Sequence, residues 1–202
     1  MIAMTRTCIL LVLGLCSHGL AQAGGWTLVK DEDGIRVYLS EVDGSGYKAY
    51  RGVVTIAADV ATLAALQDDV PGSCAWVHLC HEQRLLRHEG AESWVYSRFA
   101  MPWPVEARDA VVRVVSQQAA DGSLIRAMEG QPGYLPAASG YTRVSSLQGF
   151  WRFAPHGEGR VEVTYQVHTE PGGSVPSWLA NRFVVDAPFN TLRDLRALAE
   201  KR

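Results

Sequence analysis

The sequence predicts an α+β fold, an antiparallel sheet with one long helix at its C-terminal end. Three observations carry this. Short stretches of period-two alternation, the mark of a strand with one wet and one dry face, follow one another from Ile35 to Thr169 with turn signals between them. The last of them, Val161–Thr169, alternates without interruption and ends on Glu170-Pro-Gly-Gly-Ser174, where a proline and two glycines break any regular element. From Trp178 to Lys201 the apolar spacing becomes helical, over ~36 Å at ~1.5 Å per residue. Strands in a run with helices segregated from them define the class.

Met1–Ala23 reads as a cleavable signal peptide. Arg6 precedes the short apolar run Cys8–Cys16, and Ala21 and Ala23 supply the small residues a signal peptidase reads, with cleavage after Ala23. The run is shorter than the ~20 residues a membrane span needs. The expected location is the periplasm or the exterior, with one domain over 24–202. The whole chain has 202 residues and a formal charge of −2. That suits a single monomeric domain with a real core and argues against a nucleic-acid partner.

The elements then follow in order. Lys30–Gly34 is a turn signal, Ile35–Leu39 a strand, Asp43–Gly46 a second turn, and Tyr47–Ile56 the returning strand of a hairpin. Ala58–Gln67 is rich in alanine and leucine and reads as a helix with Asp59 in its first turn. Pro71 and Gly72 break it. Trp76–Arg87 fits helix and strand equally. Ser93–Phe99 is a strand stopped by Met101-Pro-Trp-Pro104, since two prolines cannot sit in a central ladder. Ala110–Gln117 and Ser123–Glu129 pair across Asp121-Gly122. Gly130–Gly140 is a long loop, Thr142–Phe153 a strand, and His156–Gly159 the last hairpin turn.

On a helical wheel, Ala180, Val184, Val185, Ala187, Pro188, Thr191, Leu192, Leu195, Leu198 and Ala199 share one broad face of the terminal helix. Pro188 is expected to bend it, because its ring clashes with the carbonyl one turn earlier. The middle of the face is shallow, lined by Ala180, Ala187 and Thr191. A helix of this kind, joined to a strand by a tight turn, reads as a lid over a cavity. Trp178, Leu179, Phe183 and Phe189 fall off that face.

Without its signal segment the chain keeps Cys74 and Cys80. An isolated pair, six apart, in an oxidising compartment points to a local disulfide. Cys74, His78, Cys80 and His81 also offer four zinc ligands, in a spacing unlike the standard structural patterns. Free thiols are the third reading.

Tyr96 and Arg98, followed by Pro102-Trp-Pro104 and Arg108-Asp109, resemble the signature of START domains, the lipid-transfer domains related to the steroidogenic acute regulatory protein. Gly149-Phe-Trp151, Val163-Thr-Tyr165, Pro171-Gly-Gly173 and Pro176–Asn181 resemble that family's last strand and the start of its helix. Pro188–Leu192 with Leu195-Arg196 resembles exported bacterial members. The resemblance spans about Gly25 to Ala199. It implies a helix-grip fold, with a curved antiparallel sheet around the terminal helix and a hydrophobic tunnel between them. By alternation, Val161, Val163, Tyr165 and Val167 face inward. The family's strand parity adds Val95, Ser97, Phe99, Ala110, Val112 and Val114 to the wall, with Val184, Ala187 and Thr191 from the helix. Sterol-binding members carry an acidic and a basic residue inside, and an ungapped count puts those positions at apolar Val95 and Val114. The resemblance also implies a gate, which we place at Tyr134, Leu135 and Pro136 of the long loop opposite Phe183.

Catalytic signatures are lacking: the chain has no G-x-S-x-G, H-E-x-x-H or P-loop, and its histidines are scattered. Arg108 and Asp109, adjacent on a strand, must point to opposite faces, and Arg108 reads as a tie between the proline-rich turn and the sheet. The expected function is to bind and carry a lipid or other hydrophobic ligand, with no cofactor or metal and with transient contact to a membrane surface. A helix-grip enzyme of cyclase or hydrolase type and a structural or sensing module with a filled core are the alternatives.

Overall fold

The computed structural model describes residues 25–201, apart from the side chain of Arg182. The expected signal peptide lies outside the described residues. Within them, β1 (Thr27–Glu32), β2 (Ile35–Ser40) and β3 (Ala49–Ile56) lead to helix α1 (Val60–Asp68) and a tight 3-10 turn over Pro71–Ala75. Next come β4 (Cys80–Glu89), β5 (Glu92–Phe99), β6 (Arg108–Gln118), β7 (Leu124–Gly130), the short β8 (Thr142–Arg143), β9 (Ser146–Pro155) and β10 (Val161–Glu170). Helices α2 (Ser177–Phe183) and α3 (Asp186–Ala199) close the chain. The strands form one sheet in the order β1-β2-β3-β10-β9-β7-β6-β5-β4, with β8 pairing in parallel to the start of β6. The sheet is curved and not closed into a barrel.

Several elements differ from the sequence reading. Trp76–Arg87 resolves to a strand from Cys80 onward, an edge strand with much of its surface in water, which is why its period was ambiguous. β1 had no alternation to find: it lies on the other edge, exposed along most of its length and bulged between Leu28 and Lys30. The expected strand Thr142–Phe153 is two strands, parted where Val144 N–H turns to the carbonyl of Asp109 and Ser145 N–H to that of Glu170. Asp59 is the N-cap of α1, its carboxylate accepting from Thr62 N–H at 2.7 Å.

The terminal helix is two helices, broken at Val184–Val185. Pro188 causes the break and is not at the bend itself. It has no N–H for the carbonyl of Val184, four residues back, and its ring crowds that carbonyl, so the helix restarts with Pro188 in its first turn, where a missing N–H costs little.

α3 packs on β2 and β3. Leu192 and Leu195 are fully buried against Ile35, Val37, Val54, Phe153, Val161 and Val163, and α1 adds Leu63 and Leu66. Gly52 lets helix and sheet touch: a Cβ there would lie 2.6 Å from Leu192 Cδ1 and 3.1 Å from Pro188 Cβ. Phe189, expected off this face, is buried in it. It stands four residues after Val185 and three before Leu192, at the edge of the apolar face, where the core reaches round to cover it, and Lys30 Nζ caps its ring at 3.7 Å.

Candidate functional site

At the other end of the sheet the same inward face lines a cavity of about 820 Å³. Small-molecule sites commonly measure ~300–1,000 Å³. β5 contributes Val95, Ser97 and Phe99, β6 Ala110, Val112 and Val114, and β10 Tyr165 and Val167. From the helices come Val184, Ala187 and Thr191, as the wheel indicated. Val163 is the exception among the expected wall residues. It is fully buried in the core under α3, one strand repeat too far from the cavity. Alternation put it on the right face of the sheet but at the filled end.

An aromatic floor lies between core and cavity. Trp151 stacks on Tyr165 with ring centroids 3.9 Å apart and meets Trp76 edge-on at 5.8 Å. Tyr50 O–H donates to the Tyr165 hydroxyl at 2.9 Å, and burial pushes both phenols above their usual range, so both stay protonated. His78 also borders the cavity. Burial lowers its pKa and favours the neutral ring, 3.4 Å from the Asn190 amide. The N–H of His78 donates to Thr191 Oγ1 at 3.1 Å, tying the segment before β4 to α3. Cys74 and Cys80 are joined by a disulfide, which closes the loop carrying Trp76.

Three polar atoms of the wall are buried without a partner among the described residues: Gln67 Oε1, Trp76 Nε1 and Arg126 Nε. The sequence reading passed over all three residues. A signal for Arg126 existed, a charged residue two before Met128 on the inward parity of β7.

Arg108 and Asp109 do point to opposite faces. Arg108, buried at the rim of the cavity, donates to the carbonyls of Glu106, Pro171 and Gly172 and so ties the proline-rich turn to the β10–α2 turn. Desolvation lowers its pKa. Asp109 is fully buried on the outer face. It accepts from Arg143 at 2.7 and 2.9 Å and from Tyr96 O–H at 3.0 Å, and the bonds from Arg143 hold its carboxyl below the usual range.

That outer face is where the long loop lies. Tyr134 stacks on Trp94, whose neighbour Val95 points the other way into the cavity, and the carbonyls of Leu135 and Pro136 accept from Arg143. No residue from 131 to 143 lines the cavity. The gate expected at Tyr134, Leu135 and Pro136 is therefore on the wrong side of the sheet, because strand parity sends the loop's partners outward. Phe183, expected opposite it, lines the cavity instead. What faces α2 is the turn after β5. Met101 and Val105 border the cavity together with Val175, Ala180 and Phe183, and a smaller groove runs between Pro104–Glu106 and Gly173–Pro176.

The sequence matches the START domain family over residues 12–201. This chain belongs to the START domain family. An uncharacterized protein of Pseudomonas aeruginosa is 58% identical over 191 residues, 95% of this chain and 94% of the relative. The crystal structure of a STAR-related lipid transfer protein fragment from Xanthomonas axonopodis superposes with a TM-score of 0.82 at 38% identity, covering 87% of this chain and 98% of that one. An aromatase/cyclase from Streptomyces sp. R1128 shares the fold alone, with a TM-score of 0.57 at 17% identity over 76% of this chain and 94% of that one. The START fold is thus common to carriers and to an enzyme, and the site must decide between them. In this START domain Val95 and Val114 are part of the apolar wall.

Proposed function

We propose that this START domain binds a lipid or similarly hydrophobic small molecule in its cavity and exchanges it at a membrane surface. The observation that carries the reading is the cavity itself, about 820 Å³, which no described segment fills and whose exposed lining is mostly apolar. Its titratable groups favour carriage over catalysis. The two buried tyrosines bond each other, burial favours the neutral ring of His78 beside an amide, and among the described residues no nucleophile, base and orienting group stand in line.

Exchange uses α2 as the lid. Polar bonds hold it: Asn181 Oδ1 accepts from Lys48 N–H and Asn181 Nδ2 donates to the Gly46 carbonyl, and the break at Val184–Val185 separates it from the packed α3. Trp103, 92% exposed on the facing turn, and Trp178, 64% exposed on α2, flank this margin. Indole rings suit the boundary between water and lipid. Export to the periplasm or beyond as a monomer fits the expected signal segment and the Cys74–Cys80 disulfide, a bond that persists in oxidising compartments.

The test is a disulfide clamp of Val105→Cys with Leu179→Cys, residues that line the same groove. Transfer of pyrene-labelled lipids between vesicles is expected to be slow when the clamp is oxidised and restored by reductant, with wild type treated alike as control. Equal rates in both clamp states remove α2 as the lid. No transfer and no bound lipid in wild type removes the carrier reading.

A further inference from the structure

The segment between Cys74 and Cys80 is cavity wall. Trp76, Val77, His78 and Leu79 all line the cavity, and the disulfide closes the loop that carries them. Trp76 is the part of this loop that reaches the aromatic floor, edge-on to Trp151. The wall depends on one short covalent ring.

The support around that ring is slight. Cys80 opens β4, an edge strand, and the pairing of β4 with β5 is irregular between Cys80 and Glu82. Leu79 stands at a φ of 59°, in the left-handed region that residues with a Cβ rarely adopt. Two hydrogen bonds tie the loop backbone across to the rest of the molecule. His78 N–H donates to Thr191 Oγ1 on α3 at 3.1 Å, and Ala100 N–H donates to the Leu79 carbonyl at 2.9 Å. Opening the ring lets Leu79 leave the left-handed region, and the wall side chains beside it move with the backbone. Cys74 and Cys80 are both partly exposed, so a thiolate from solvent can reach the bridge.

We propose that the Cys74–Cys80 pair is a redox switch on ligand binding: the disulfide holds Trp76–Leu79 as cavity wall, and reduction by a dithiol releases that wall and the ligand with it. The inference rests on the binding role proposed above and adds its regulation. In the chemical step, one thiolate of the dithiol attacks a sulfur of the bridge, and the other cysteine leaves as a thiolate and takes a proton. The second thiol of the dithiol then displaces the remaining cysteine from the mixed disulfide. The chain gains two thiols, the reductant leaves as its disulfide, and two electrons and two protons have passed. The switch keeps the protein empty where thiols stay reduced and loads it in oxidising compartments, where the bridge persists.

The test follows one sample of purified protein through a redox cycle. Binding of phenylnaphthylamine, a neutral apolar fluorophore, is measured before reduction, after dithiothreitol, and after reoxidation with oxidised glutathione. Free thiols are counted under native conditions at each stage, and far-UV circular dichroism follows the fold. Reduction is expected to expose both thiols with the fold retained and to weaken the fluorophore about tenfold or more, as wall contacts are lost. Reoxidation is expected to restore the affinity. Cys74→Ser with Cys80→Ser is expected to bind as the reduced protein does and to ignore dithiothreitol. A bridge that resists dithiothreitol until the protein is denatured, equal affinity in the two redox states, or an affinity that reoxidation does not restore would overturn the proposal. Loss of the circular dichroism on reduction, or a double variant that binds as the oxidised protein does, would overturn it too, since the bond is then a staple of the fold or without effect on the wall. Oxidised wild type that does not bind the fluorophore at all overturns the binding role itself, a result distinct from equal binding in both redox states.

Discussion

The two ends of this sheet share one strand pattern and differ in what covers them. Under α3, the inward residues of β2, β3 and β10 are fully buried: Ile35, Val37, Ile56 and Val163 have no exposed surface. Under α2, the inward residues Val95, Phe99, Val112 and Val114 are only partly buried, because they face a cavity. β10 crosses the boundary, with Val161 and Val163 in the core and Tyr165 and Val167 on the cavity wall. The difference lies in the helices. α3 reaches the sheet through Leu192 and Leu195 over Gly52, while α2 is held by the polar bonds of Asn181. A period-two pattern tells which way a strand faces, and the neighbouring element decides whether that side is filled.

A wall unsupported from inside needs support from outside. At the hollow end this comes from Asp109, Arg143 and Tyr96, with the loop over 131–141 laid across the back of β5 and β6. The largest effect is expected here. Asp109→Asn removes one partner of a buried pair and should cost about 3–5 kcal/mol in denaturant unfolding. The sign with pH follows from the lowered pKa of Asp109. Its stabilisation is complete above the ordinary aspartate value of ~3.9 and is lost as pH falls through the folded-state value. Melting scans across acid pH should show a shallower acid limb in Asp109→Asn than in wild type. An unchanged stability would mean that the cavity wall stands without this brace.

Next come truncations at the two ends. Leu195→Ala empties a filled site and should cost about 2–5 kcal/mol, while Val114→Ala only widens an existing space and should cost less than about 1 kcal/mol. Equal losses would erase the distinction between the ends. Added volume sharpens it in the other direction. Val163→Phe overpacks the core and should cost about 1–3 kcal/mol, and Val112→Phe should melt near wild type.

The sheet, its antiparallel order and the terminal helix were legible because they rest on local signals, namely alternation, turn residues and helical spacing. The cavity wall was legible where it combined parity with the family resemblance, as at Val95, Phe99 and Val112, and where the helical wheel placed Val184. Val163 was misplaced because parity has no knowledge of depth along a strand. The gate was misplaced because Tyr134, Leu135 and Pro136 announce their apolar character but not the face of the sheet they cover. Phe189 was misread because it stands at the edge of the apolar face, four residues after Val185 and three before Leu192, and a wheel does not tell how far round the helix the core reaches. Gln67, Trp76 and Arg126 come from separate parts of the chain, and only the fold makes them lining of one cavity.

A smaller effect on stability is expected of the disulfide. Cys74→Ser with Cys80→Ser opens a short loop and should cost about 2 kcal/mol. That loop carries Trp76, so apolar-probe binding should weaken along with stability. Trp103→Ala and Trp178→Ala, both exposed, should leave melting within about 0.5 kcal/mol of wild type and slow lipid transfer to vesicles. Unchanged transfer would place membrane contact elsewhere.

The central claim, that the hollow end is a site for an apolar ligand and not a loosely packed core, is tested most directly at Val112. Val112→Trp and wild type would be purified side by side, extracted with organic solvent, and the extracts compared by mass spectrometry, with melting temperatures recorded on the same samples. The account predicts a bound apolar molecule in wild type, its loss in Val112→Trp, and melting temperatures within a few degrees of each other. Equal occupancy in the two proteins, or a Val112→Trp protein that melts as low as Val163→Phe, would contradict it.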